Sequence, residues 1–232
     1  MRSALMTGIS KICSSIMRRR PHQVATKEWS NIRYECIKTP LDHLLDILEV
    51  YPDTLMEYTT CINTKLETEA FRSAMKAKVF SLLRKFDQWA TYFVRLSEGE
   101  QACMFPEEWE LDATSPMSVP ILGTSQPICA PPQIVSNNQS IALLLCLFSA
   151  GCAISFGILS SLEPDNSSLS DKTQQHCELI LSATEALDSD SRASISSVYL
   201  LATFPLTVVA TWSPCPQQRD RAYRKTGFTV RS

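Results

Sequence analysis

At 232 residues, 44% hydrophobic and 20% charged, the chain is long enough for one sizeable domain and too apolar to stay unfolded. Six glycines are too few for a β-sandwich or a dinucleotide-binding fold, and a net charge of −2 leaves no excess of Lys and Arg for a dedicated nucleic-acid surface. Nine scattered cysteines, no two within five positions, fit free thiols in a reducing compartment rather than a secreted disulfide framework.

Residues 1–26 carry Arg2, Lys11 and the run Arg18, Arg19, Arg20, with no acid before Glu28. Leu5, Ile9, Ile12 and Ile16 are spaced as one face of a short helix that Pro21 stops. This basic start reads as an ordinary first helix or as a transit-type leader, and Arg18–Arg20 as a candidate nuclear-import signal. Lys11 interrupts the apolar run, which excludes a secretory signal.

Thr39-Pro40-Leu41-Asp42 predicts a helix start, with Thr39 as cap, Pro40 in the first position and Asp42 favoured by the helix dipole. Leu41, Leu44, Leu45 and Leu48 form its apolar stripe, and Pro52 ends it or opens the next helix, which carries Leu55, Met56 and Ile62 inward. From about Glu67 to Leu96, Phe71, Met75, Val79, Leu82, Phe86, Trp89, Phe93 and Leu96 step by three or four. That is one long helix with a continuous apolar seam, and Gly99 is its stop.

No charge appears from Ala113 to Leu162. Residues 113–137 hold five prolines and read as a surface loop, whereas Ile141–Leu159 are nineteen residues of small and apolar type. The second stretch is nearly long enough to span a bilayer. Ser149, Gly151, Ser155 and Gly157 and the absence of flanking Lys or Arg favour a helix buried at the centre of a bundle, with a single membrane span as the alternative. Beyond a turn-rich break at 163–168, one helix opens at Ser170 and Asp171 with Leu179, Ile180, Ala183 and Leu187 inward. A last helix runs from Arg192 to Trp212, kinked or split by Pro205. The basic segment 217–232 reads as a solvated or disordered tail.

Chemistry is sparse. There is no Cys-x-x-Cys and no His-Glu-x-x-His, and His176 and Cys177, being adjacent, diverge by about 100° on a helix. Gly151 to Gly157 around Ser155 has the wrong spacing for a nucleophile elbow. Glu107, Glu108 and Glu110 read as a solvated acidic cluster, and Asn138 and Asn166 start glycosylation patterns that matter only in a secreted chain. The expectation is a non-enzyme with no catalytic, metal-binding or DNA-binding residue and no cofactor.

Six stretches in order resemble the regulatory region that follows the DNA-binding domain in fungal zinc-cluster transcription factors. They are RRRPHQVATKEW (18–29), KTPLDHLLDILEVYPDTL (38–55), LLRKFDQWATYF (82–93), ALLLCLFSAGCAISFGILSSL (142–162), HCELILSATEAL (176–187) and LLATFPLTVVATWSP (200–214). The six-cysteine zinc cluster is missing, and Phe148-Ser-Ala-Gly-Cys stands where the family has an aromatic–arginine centre. The resemblance implies a regulatory module in nucleus or cytoplasm that acts through other proteins, with no specific DNA contact and no small-molecule substrate identified. The fold expected is a single all-α, irregular bundle of six to eight helices over 27–216, with membrane anchoring by 141–159 as the competing reading.

Overall fold

The computed structural model describes residues 13–16, 39–64, 68–97, 139–189 and 195–226. They form an all-α bundle: α1 (Pro40–Leu48), α2 (Tyr51–Thr64), α3 (Glu69–Ser97), α4 (Gln139–Leu162), α5 (Ser167–Ser189), α6 (Ile195–Trp212) and α7 (Pro216–Thr226), with no strand among the described residues. A short helical segment at 13–16 contributes Cys13 and Ile16 to the same core. Arg18–Arg20, the 113–137 loop and Glu107–Glu110 lie outside the described residues.

Helix α1 starts where its sequence predicts, and more firmly. The Thr39 hydroxyl accepts from the Asp42 N–H, and Asp42 reaches back to the Thr39 N–H at 2.9 Å, so a reciprocal capping box satisfies donors at both positions. Pro52 falls in the first turn of α2, where a missing N–H leaves no intrahelical bond unmade. The inward face of α2 is Tyr51, Thr54, Leu55, Tyr58 and Cys61. The expectation that Met56 and Ile62 point inward is corrected: they are 39% and 42% exposed. Two tyrosines whose hydroxyls find partners on α4 set the rotation of α2, and Met56, one residue beyond Leu55, falls off that face.

Helix α3 keeps its predicted seam. Met75, Val79, Leu82, Phe86, Trp89 and Phe93 are all buried, and Phe71 is half-buried. The Trp89 indole N–H donates to the Pro40 carbonyl at 2.7 Å, which ties α3 to the start of α1 while leaving no buried donor orphaned. Helix α4 is the central element: it packs along α5 and also against α6, α3 and α1. From Cys146 to Phe156 every residue is buried, so this stretch is enclosed on all sides, while Ile141, Leu143, Leu144 and Leu145 nearer its start are half-buried.

Two departures follow from polar residues on buried faces. Helix α5 opens at Ser167 rather than Ser170, and its buried face runs through Leu169, Thr173, His176, Cys177, Ile180, Leu181 and Thr184. Leu179 and Ala183, expected inward, are only half-buried. Thr173 and Thr184 can sit inside because their hydroxyls donate to the Leu169 and Leu181 carbonyls of their own helix, at 2.9 and 2.8 Å. Ile180 is buried as its spacing predicts, and the side chain of Leu187 lies outside the description. Helix α6, described from Ile195, continues through Pro205 without splitting, and Arg192 lies outside the described residues.

The disordered tail expected from 217 is corrected for residues 217–226, which form most of α7. Its Gln218 and Ala222 are buried, and Pro216 occupies its first position. A helix this polar has little apolar surface of its own, and tertiary partners hold it in place.

Two substitutions test the core. Trp89→Ala, at a site with no exposure, is expected to lower unfolding free energy by about 3–5 kcal/mol in chemical denaturation. At Gly151 the space a Cβ would need is taken by the Phe86 ring. Alanine there gains about 1 kcal/mol of helix propensity, yet overpacking costs about 1–3 kcal/mol, so Gly151→Ala should lower the melting temperature. A raised melting temperature would show that α3 and α4 are not in this contact.

Candidate functional site

Three side-chain constellations stand out, and each is built from two or more helices. The first is a belt of rings centred on Phe148 of α4. Phe86 meets its ring edge-on at 5.6 Å, Trp89 stacks at 5.4 Å, and His176 of α5 approaches edge-on at 6.0 Å. Trp89 also stacks on Phe93 at 5.0 Å, and His176 stacks on Phe156 at 5.7 Å. The Lys172 ammonium lies 5.2 Å from the centre of the Phe156 ring. His176 is thus part of an aromatic core, and Cys177 turns to a different neighbour, as the divergence of adjacent helical positions requires.

The second is a set of hydroxyls along α4. Tyr51 donates to the Gly151 carbonyl at 2.8 Å and shares a hydrogen bond with Ser155, and Tyr58 pairs with Ser161. The apparent nucleophile region is therefore occupied: Ser155 is buried and its hydroxyl is held by a tyrosine. Gly157 gives its Cβ space to the indole of Trp212. Both glycines act here as points of close helix approach.

The third joins α5, α7 and the turn before α7. Gln218 donates to the Gln174 carbonyl at 3.2 Å and to Glu178 at 3.0 Å, and accepts from the Ser213 hydroxyl at 2.6 Å. Arg221 binds both oxygens of Glu178, at 2.9 and 3.1 Å, and reaches Glu185 at 3.0 Å. Burial pushes the Glu178 carboxyl up, but hydrogen bonds from Arg221 and Gln218 outweigh it and hold the group below its ordinary value of 4.5. At Glu163 the hydrogen bond from Lys76, opposed by burial, has the same result. Sequence reasoning missed this cluster because its partners are some forty residues apart and sit in a segment that reads as a tail.

The described residues contain no group of three or more His, Cys, Asp or Glu able to hold a metal ion. Asn166 lies in the α4–α5 turn, where its side chain donates to Glu163 at 3.3 Å, and Asn138 is outside the described residues.

Because the folded-state carboxyls of Glu178 and Glu163 are depressed, their contribution to stability is present above their unfolded value and is lost as pH falls through the folded one. Arg221→Ala moves Glu178 back toward its ordinary value. The acid-unfolding midpoint, followed by far-ultraviolet circular dichroism, should shift to higher pH, while stability at pH 7 falls by only about 0–1 kcal/mol because the pair is largely exposed.

No family model, no curated protein and no solved structure matches the chain.

Proposed function

We propose that the chain is a non-catalytic regulatory module that works by contacting other proteins, of the kind found behind the DNA-binding domain in fungal zinc-cluster transcription factors. The observation that carries this reading is the enclosure of α4: a charge-free helix, buried on every side from Cys146 to Phe156, surrounded by the helices that the other resembling stretches form. Five of the six stretches fall on described residues and supply, in chain order, α1 with the start of α2, the second half of α3, then α4, α5 and α6. Such a module influences transcription through the proteins it contacts.

The competing reading, a single membrane anchor, has one observation in its favour. Ile141–Leu162 is long and apolar enough to cross a bilayer. Against it, 72% of its most apolar 18 residues are buried, and the Ser155 and Ser161 hydroxyls and the Gly151 carbonyl are engaged by Tyr51 and Tyr58 from α2. A helix facing lipid would have neither feature around most of its circumference.

A heterologous DNA-binding domain fused to the chain tests the proposal in yeast carrying the matching reporter. A regulatory module changes reporter output relative to the DNA-binding domain alone, and Trp89→Ala, which disrupts the core, abolishes the change. Unaltered output, with the untagged protein held in the membrane pellet after an alkaline carbonate wash, would replace this reading with the membrane anchor.

A further inference from the structure

Helix α7 is 11 residues long, and a helix of that length is marginal in water unless something holds it. Its own apolar contribution is small: Ala222 is fully enclosed and Tyr223 packs partly against the core. Charge supplies much of the remaining fit. Helix α7 carries four basic side chains, Arg219, Arg221, Arg224 and Lys225, and one acidic, Asp220. Helix α5 has the opposite balance, with Asp171, Glu178, Glu185 and Asp188 against Lys172. The other helices packed along α5, which are α4 and α6, contain no charged residue.

Two carboxylates make the contact. Arg221 binds both oxygens of Glu178 and reaches Glu185 with its other nitrogen. The buried Gln218 amide donates to the same Glu178 and to the Gln174 carbonyl, and it accepts from the buried Ser213 hydroxyl. The other titratable groups nearby are Cys177, next to Glu178 on α5, and Cys215 in the turn before α7. Burial pushes the Cys177 thiol up to about 12, so it stays neutral through the acid range. Glu178 and Glu185 are thus the groups on α5 whose charge can change while facing α7. A protonated carboxyl gives up the charge-assisted, two-pronged bond from Arg221, and the cations of α7 lose their counter-charge.

We propose that α7 is a charge-docked terminal helix: protonating Glu178 and Glu185 releases and melts it as a separate step, while the seam of α4 with α5 and α6 stays closed. The direction follows from Glu178. Burial raises its carboxyl, and hydrogen bonds from Arg221 and Gln218 overcome that and hold the group below its ordinary value of 4.5. Its contribution to docking is therefore complete above 4.5 and fades as pH falls through the lower, folded-state value. Helices α4 and α6 have no side chain whose charge responds in that range.

Hydrogen exchange of the unsubstituted full chain, read by mass spectrometry from pH 7 down to pH 3 and corrected for intrinsic rates, follows both helices at once. Peptides from 216–226 should lose protection at a higher pH than peptides from 146–159. Loss at one common pH, or an α7 already unprotected at pH 7, would overturn the proposal. A second measurement works at neutral pH, where Glu178→Gln with Glu185→Gln imitates the protonated pair. Trypsin should then cut at Arg219, Arg221, Arg224 or Lys225 roughly tenfold faster than in the wild type, because two exposed charge pairs are lost and cutting tracks the open population. Lys76 and Lys172, on the bundle, should stay as resistant as before. An unchanged rate at α7, or equal acceleration at Lys76 and Lys172, would show that α7 is not released by charge as a unit of its own. The exchange experiment needs no substitution, so it decides the matter even if the double variant fails to fold.

Discussion

Gly151 has no side chain, and the ring of Phe86 fills the place where one would be. That contact lets α3 come close enough to α4 for Phe86, Trp89 and Phe148 to meet, and so for a single aromatic belt to run from α2 through α3 and α4 to His176 on α5. Gly157 repeats the device for Trp212 at the end of α6. With two glycines admitting two large rings, α4 is closely wrapped by other helices.

Enclosing a helix this fully creates a polar problem. Its serine hydroxyls leave water, and a buried hydroxyl without a partner costs about 1–3 kcal/mol. Tyr51 answers it from α2 for the buried Ser155 and the Gly151 carbonyl, and Tyr58 pairs with Ser161 on the exposed side of the same helix. Their hydroxyls are the polar tips of rings that otherwise join the apolar core, Tyr51 against Phe86 and Tyr58 against Trp212. Helix α2 is oriented by this requirement more than by its own aliphatic residues, which is why Met56 and Ile62 remain outside.

Helix α7 stands apart in how it is held. Apolar burial contributes Ala222 and part of Tyr223, and the rest is polar: Gln218 with three partners, and Arg221 with two carboxylates. Attachments of this type are weaker than a packed seam and respond to pH and to changes at the turn that precedes them.

The helices themselves were legible from the chain. A seam stepping by three and four from Phe71 to Phe93 has only one regular structure that buries it, and Thr39-Pro40-x-Asp42 carries its capping chemistry within four residues. A charge-free run such as 141–159 is equally legible as a helix, although its surroundings are not, because burial in lipid and burial in protein select the same residues. Tertiary structure decided what depended on distant partners. Thr173, His176 and Thr184 look like a solvated face until the helix carbonyls and rings that accommodate them are in place. Residues 216–226 look like a tail until Glu178 and Glu185, on another helix, give their arginine something to bind. Local pattern determines that a helix forms and which residues could be apolar together. Which face is finally buried, and whether a polar segment folds at all, is set by groups that only the folded chain brings within hydrogen-bond reach.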